Sequence, residues 1–160
     1  RVQPAGQLIG RAQQVLLVLL LGTRAVRLLR GLHLRVARNA PPRDRLGPNK
    51  IIGLSIESEE VAQKVDRTIV DYVGIGPVFA TPPKPDHKPA IGFDGLEKLV
   101  RMVGLPSVAI GGLKREHVLP ALESGADGVA VVSAICGQPD PKQATAHIAE
   151  TLKSARNRTK

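Results

Sequence analysis

The sequence has few aromatic residues and one cysteine. Its 160 residues include no Trp, one Tyr and two Phe, whereas proteins that bind single-stranded nucleic acid rely on aromatic rings for stacking. The lone Cys136 excludes an internal disulfide framework and a multi-cysteine metal site, and it favours a reducing compartment, the cytoplasm. The four His residues lack ligand spacing such as HxxxH, so no protein-bound zinc site is expected.

Long apolar runs and nucleotide-binding motifs are missing as well. The apolar run at residues 15–21 is far shorter than the ~20 residues that a membrane-spanning helix needs, and Arg11 and Arg24 lie on either side of it. Neither a GxGxxG fingerprint nor a Walker loop is present. The sequence therefore predicts no membrane partner and does not support dinucleotide or ATP binding.

Acidic residues are nearly absent from the first 50 residues, which carry nine Arg and one Lys against Asp44. Residues 51–160 carry 13 basic and 13 acidic residues, so the net charge of +9 comes from the first segment alone. Within residues 13–34, three Arg recur at three-residue intervals opposite a Leu/Val face, which indicates a basic amphipathic helix. We interpret that helix as a solvated cover for the core and favour this over a nucleic-acid site.

From residue 50 onward, short apolar runs alternate with amphipathic segments. Continuous apolar strands of this kind are typical of parallel sheets covered by helices. Four such βα units predict an α/β fold and fit half of a TIM-type (β/α)8 barrel, with a flavodoxin-like open sheet as the alternative. The predicted strands are 51–55, 70–76, 107–111 and 128–134, and the predicted helices are 57–66, 95–103, 115–124 and 141–156.

Two adjacent strand ends suggest an anion site. Gly111 and Gly112 follow one predicted strand directly, so their N–H groups can approach an anion without obstruction by a Cβ atom. Val132 and Ser133 close the next strand and can add a hydroxyl and further N–H donors. Close packing explains a Gly pair equally well, but the pairing at neighbouring strand ends favours phosphate binding.

The loop within residues 71–92 is rich in Pro and Lys. Thr81 and Lys84 lie among prolines that restrict the backbone, and a Lys held there can neutralise a diphosphate; ordinary solvated loop residues are the alternative. His87 is the one His that we expect near this pocket. Ser55, at the end of the first clear strand, either faces the same pocket or caps the following helix. No nucleophile–base pair stands out, which favours electrostatic catalysis on phosphates.

Four stretches, IIGLS, VDYVGIGPVFATPPKPD, GLPSVAIGG and SGADGVAVVSAI, resemble the family of thiamine-phosphate synthase and the thiazole tautomerase TenI. Their order and spacing match the family from about residue 47 to residue 153. We therefore divide the chain into a basic segment, residues 1–46, and a synthase-like barrel portion, residues 47–160.

The resemblance implies a (β/α)8 barrel that joins hydroxymethylpyrimidine diphosphate to thiazole phosphate, with Mg²⁺ helping the diphosphate to leave. It implies that the thiazole phosphate is held by Thr81, Gly112, Val132 and Ser133. Ser55 and Lys84 would face the pyrimidine diphosphate, with Lys84 stabilising the leaving group.

The sequence departs from the family pattern at two places. Thr81-Pro82-Pro83-Lys84-Pro85-Asp86 replaces the family loop T-x-T-K-K-D, which predicts weaker binding. Upstream, a G-x-H-L-like stretch is followed by Arg35-Val36-Ala37-Arg38 in place of G-Q-x-D, so an Arg stands where a Mg²⁺ ligand is expected. No protein metal ligand can be assigned.

These departures predict that residues 1–46 are a degenerate or out-of-frame version of the family's N-terminal half, and that activity is weak or lost. A non-catalytic half-barrel that binds thiazole phosphate and a TenI-like tautomerase or regulator are the alternatives. An incomplete barrel also predicts self-association through exposed sheet edges.

Overall fold

The computed structural model describes residues 17–20 and 32–33 by their backbone, residue 48, and residues 51–80 and 89–158, with side chains up to residue 155. The strands are β1 (Leu17–Leu20), β2 (Leu32–His33), β3 (Ile52–Ile56), β4 (Tyr72–Ile75), β5 (Ser107–Ile110) and β6 (Gly128–Val131). The helices are α1 (Glu59–Gln63), α2 (Gly92–Val103), α3 (Val118–Glu123), α4 (Ser133–Cys136) and α5 (Pro141–Arg158), with a 3-10 turn at Arg115–His117.

One sheet contains all six strands, in the order β1-β6-β5-β4-β3-β2. Strands β2 to β6 pair in parallel with one another, whereas β1 pairs antiparallel with β6, and helices follow β3, β4, β5 and β6. The prediction of an α/β fold with four βα units is thereby confirmed. Helix α2 begins at Gly92, three residues before the predicted start, and β6 ends at Val131, where the chain turns into α4.

The helix that we predicted over residues 13–34 is wrong for the residues that the structure describes there. Leu17–Leu20 pairs antiparallel with β6, and Leu32–His33 pairs in parallel with β3. Strand pairing satisfies the backbone N–H and C=O groups at the outer edges of β6 and β3, which a helix could not do. Both strands therefore join the same sheet as the rest of the chain.

The helix-covered face of the sheet carries the larger core. Helix α2 buries Leu96, Leu99 and Val103, which recur on one side of the helix, and Gly104 ends it in the left-handed region with φ 61°. Burying a Leu or Val side chain contributes about 1.5 to 3 kcal/mol. The strand residues beneath the helices include Val73, Ile75, Ala109, Val129 and Val131.

The opposite face of the sheet carries a smaller apolar cluster, which contains Tyr72, Val108 and Ala130, with Ile51 and Ile110 packed against them. Tyr72 is in register with Gly53 on β3. A Cβ atom at Gly53 would collide with the outer end of the Tyr72 ring, so Gly53 allows the ring to lie against β3 in its present position. Among the described residues, no helix has the length and hydropathy needed to cross a bilayer.

Two aspartates join neighbouring strands at the N-terminal edge of the sheet. Asp71, just before β4, accepts a 2.6 Å hydrogen bond from the N–H of Ile52 at the start of β3, and its own N–H donates to the Ile52 carbonyl at 2.9 Å. Asp127, just before β6, makes the same pair of bonds with Ser107 on β5, at 2.8 and 2.9 Å. We call these pairs the aspartate clamps. They fix strand register at the edge opposite to the predicted site.

Burial of Tyr72 leads to a pH prediction. Desolvation raises the pKa of the Tyr72 phenol above its ordinary value, because the phenolate is disfavoured in the core. The resulting stabilisation is present below the unfolded pKa of about 10 and is lost as the pH rises through the folded pKa.

Tyr72 is the one Tyr in a chain without Trp, so tyrosinate absorbance reports on it alone. We expect the midpoint of an alkaline titration to be higher in native protein than in urea-unfolded protein. Coincident midpoints would contradict burial of the phenol.

Candidate functional site

Gly112 and Val132 follow the neighbouring C-terminal ends of the parallel strands β5 and β6. In the β5–β6 pair, Ile110 is in register with Ala130, and each of the two site residues lies two positions further along its chain. The prediction that these two strand ends are neighbours is confirmed. Carboxyl ends of parallel strands are also where ligands bind in α/β folds.

Gly111 and Gly112 have positive φ, 96° and 64°, in the region that favours Gly. A Cβ atom at Gly112 would lie 2.7 Å from the Cβ of Phe79 and 2.8 Å from its carbonyl oxygen. A Cβ atom at Gly111 would lie 2.6 Å from the Cα of Pro77. Close packing against the chain after β4 therefore requires both glycines. We call Gly111 and Gly112 the glycine turn, and the same packing brings the chain after β4 next to it.

Four backbone hydrogen bonds fix the base of the β4–α2 loop. Val78 N–H donates to Ile110 O at 2.9 Å and Phe79 N–H to Gly111 O at 3.1 Å, which joins the first end of the loop to β5. At the second end, Ile91 N–H donates to Pro77 O and Gly92 N–H to Val78 O, both at 2.9 Å. The loop thus starts and finishes beside the glycine turn. Its predicted site residues Thr81 and Lys84 lie outside the described residues, as does His87.

An aromatic cluster links this loop base to the turn after Gly112. The Phe79 and Phe93 rings meet edge to face with centroids 5.1 Å apart, and the His117 ring lies 4.4 Å from that of Phe79. Sequence reasoning missed His117, because it named His87 as the one His near the pocket. Its position five residues after Gly112, at a predicted helix start, was the available signal.

Val132 and Ser133 lie where β6 passes into α4. The Val132 carbonyl accepts N–H bonds from Ile135 at 3.0 Å and Cys136 at 2.8 Å, and Ser133 is exposed. The N–H groups of Ser133 and Ala134 come first in the helix, where the helix itself provides no carbonyl acceptor. Together with the Ser133 hydroxyl, such donors can hydrogen-bond an anion at the same edge as Gly112.

Ser55 lies within β3, one residue before that strand ends at Ile56. Its register partner is Gly74, which pairs in turn with Val108, two residues before the end of β5. The helix-capping alternative for Ser55 is wrong, since the hydroxyl of Ser58 caps α1 by accepting from Val61 N–H at 3.4 Å. The structure therefore brings together Gly112, Val132 and Ser133, and it places Ser55 deeper in the sheet.

Comparison with known families identifies the chain. The family model described as thiamine monophosphate synthase matches residues 29–135, about two thirds of the sequence. The chain belongs to the thiamine monophosphate synthase family. The match includes β2 and begins upstream of the boundary that the sequence analysis set at residue 46.

Curated relatives bear the name thiamine-phosphate synthase. One from Vibrio campbellii is 43% identical over 106 residues, which cover 66% of this chain and 52% of the relative. One from Streptococcus suis is 48% identical over 102 residues, which cover 63% of this chain and 44% of the relative. The chain thus spans about half the length of these curated relatives.

A solved structure of this family has the same fold. Thiamine phosphate pyrophosphorylase from Pyrococcus furiosus superposes with a TM-score of 0.66 and 35% identity, over 78% of this chain and 60% of that one. The resemblance inferred from the four motifs and the assignment to a TIM-type α/β fold are confirmed.

Magnesium is the cofactor implied by the thiamine monophosphate synthase family. Over residues 51–80 and 89–155, no group of three or more His, Cys, Asp or Glu side chains is placed to hold a metal ion. Arg38, in the position of the expected Asp ligand, lies outside the described residues. A magnesium ion held by three or more His, Cys, Asp or Glu side chains is therefore ruled out over the described residues.

Proposed function

We propose that this chain acts in thiamine biosynthesis, in the condensation of hydroxymethylpyrimidine diphosphate with thiazole phosphate to give thiamine phosphate and diphosphate. The observation that carries the proposal is that Gly112 and Val132 follow the neighbouring ends of β5 and β6, within the range that matches the family. The lone Cys136, a free and exposed thiol, fits a reducing compartment, the cytoplasm.

The thiazole phosphate is proposed to bind at the edge formed by Gly112, Val132 and Ser133. Backbone N–H groups and one hydroxyl supply directional donors there without a formal charge. Thr81 supplies a second hydroxyl from the loop whose base is bonded to Ile110 and Gly111. The family's own binding pattern and the rigid loop base both support this assignment.

The diphosphate of the second substrate is assigned to Lys84 and Ser55. A Lys neutralises the charge that develops on a leaving diphosphate, and such preorganised electrostatic stabilisation is often the largest single contribution to catalysis. Ser55 lies deeper in the sheet than Gly112, so the two phosphorylated groups are proposed to occupy different parts of the site.

A non-catalytic thiazole-phosphate binder is the second candidate. It is favoured by Arg38, which stands in the sequence where the family pattern has an Asp ligand. Under this alternative, the phosphate edge at β5 and β6 functions without the diphosphate half of the site.

Ser133 provides the test of the proposed phosphate edge. We expect Ser133→Ala to raise the Kd for thiazole phosphate about tenfold or more, since a hydrogen bond to a charged group contributes roughly 1.5 to 3 kcal/mol. Isothermal titration calorimetry measures this change. Ser154→Ala, at an exposed position on α5, is the matched control and should leave the Kd unchanged.

Product formation then separates the two candidates. Thiamine phosphate made from both substrates with Mg²⁺ supports the synthase, whereas thiazole-phosphate binding without product supports the non-catalytic binder. Folded protein that does not bind thiazole phosphate would refute both.

A further inference from the structure

His117 is the point where the glycine turn and the β4–α2 loop meet. It is half-buried at the end of the 3-10 turn that follows Gly112. Its N–H donates to the Lys114 carbonyl at 3.1 Å, and its Nδ1 accepts from the Lys114 N–H, also at 3.1 Å. This reciprocal pair closes the turn around Lys114 in the manner of a capping box.

The hydrogen bond accepted by Nδ1 indicates which ring nitrogen of His117 carries the proton. A neutral imidazole has one donor nitrogen and one acceptor nitrogen, so acceptance at Nδ1 places the proton on Nε2. The ring is thereby fixed in one orientation by a backbone N–H group two residues after Gly112.

The same ring contacts two Phe residues that flank the loop, Phe79 and Phe93. Phe79 lies just before residues 81–88 and has its ring centroid 4.4 Å from that of His117, with the planes inclined by 36°. Phe93 lies just after the loop, in the first turn of α2, at 6.2 Å. Aromatic pairs at such separations contribute about 0.5 to 1.5 kcal/mol beyond the area they bury, as double-mutant cycles show for other proteins.

We propose that His117 is a positioning residue that couples the glycine turn to the base of the β4–α2 loop. Its hydrogen bond to Lys114 fixes the 3-10 turn that follows the glycine turn, and its ring contacts Phe79 at the loop base. The glycine turn and the loop base, both assigned to the phosphate, therefore keep one relative geometry. The ligand part of this inference rests on the proposed function, whereas the coupling itself depends only on the described contacts.

Amide hydrogen exchange tests the coupling without a ligand. The N–H groups of Ile91 and Gly92 close the loop base by donating to Pro77 and Val78. In His117→Ala we expect these two amides to exchange about tenfold faster, the change that corresponds to losing one net hydrogen bond. His147→Ala, a half-buried His on α5, is the matched control and should leave both rates unchanged.

Two substitutions each keep one of the two contacts of His117, either the hydrogen bond to Lys114 or the ring contact with Phe79. His117→Asn retains a side-chain oxygen that can accept the Lys114 N–H, and His117→Phe retains a ring against Phe79. Each is expected to restore part of the protection at Ile91 and Gly92 that His117→Ala loses. A side chain that merely filled space would be replaced by Phe without loss and would show no rescue by Asn.

Thiazole-phosphate binding provides the second measurement. A Kd raised about tenfold in His117→Ala together with faster exchange supports the proposal. Unchanged exchange at Ile91 and Gly92 would overturn the coupling, and faster exchange with an unchanged Kd would overturn the positioning role. If the unmodified chain does not bind thiazole phosphate, the proposed function fails, and the exchange rates still decide whether His117 couples the two elements.

Discussion

Gly112→Ala is expected to lower the free energy of unfolding by about 2 to 3 kcal/mol more than Gly92→Ala, because only Gly112 faces a backbone that a Cβ would overpack. Both residues have φ 64°, so the strain of a left-handed Ala is common to the two variants. At Gly112 the new Cβ would lie within 2.9 Å of three Phe79 atoms, whereas at Gly92 nothing lies within 4 Å. The difference between the two free energies of unfolding therefore measures the close packing of Gly112 on Phe79, separately from the backbone strain.

Urea unfolding followed by circular dichroism measures both variants. Equal m-values would show that the two free energies refer to the same transition. An equal loss in Gly112→Ala and Gly92→Ala would contradict the contact with Phe79. Because Gly112 also belongs to the proposed phosphate edge, its Ala variant should bind thiazole phosphate more weakly as well.

Asp127→Ala is expected to destabilise the fold by about 2 to 3 kcal/mol, the cost of leaving a buried donor without its charged acceptor. Its carboxylate accepts the Ser107 N–H at 2.8 Å, and Ser107 is only 1% exposed. The Ser107 hydroxyl is itself buried with no hydrogen-bond partner among the described residues, so it does not compensate. The Ser107 N–H would therefore lose the charged acceptor that the exposed Asp127 side chain provides.

Two further variants make this measurement specific. Asp127→Asn keeps an oxygen that can accept the same N–H and should lose less stability than Asp127→Ala. Glu123→Ala, at an exposed position on the neighbouring α3, should change the free energy of unfolding by less than about 0.5 kcal/mol. If Asp127→Ala proves as mild as Glu123→Ala, the aspartate clamp does not stabilise the sheet.

Sequence patterns located the strands better than their ends. Apolar runs predicted β3, β4, β5 and β6 because buried parallel strands are apolar on both faces. The run 128–134 continues through the start of α4, and periodicity cannot separate a strand end from an apolar helix start over so few residues. Arg spacing misled the prediction for 13–34, since pairing with β6 and β3, a tertiary effect, decides the structure of β1 and β2.

The candidate site was partly predictable for a similar reason. Parallel topology alone implies that the residues after β5 and β6 meet at one edge, and Gly112 and Val132 do so. The contact between His117 and Phe79 depends on how two loops pack, and no local pattern encodes it. Ser55 followed from the strand prediction, but its depth in the sheet required the register with Gly74.

The aspartate clamps also bear on the order in which the chain folds. Their hydrogen bonds join residues 19 and 20 positions apart, Ile52 to Asp71 and Ser107 to Asp127. Closing so short a segment loses less chain entropy than closing a long one. The β3–β4 and β5–β6 pairs therefore each close over a short segment. Joining β4 to β5 across the longer connection that contains the β4–α2 loop is the step with the larger entropic barrier.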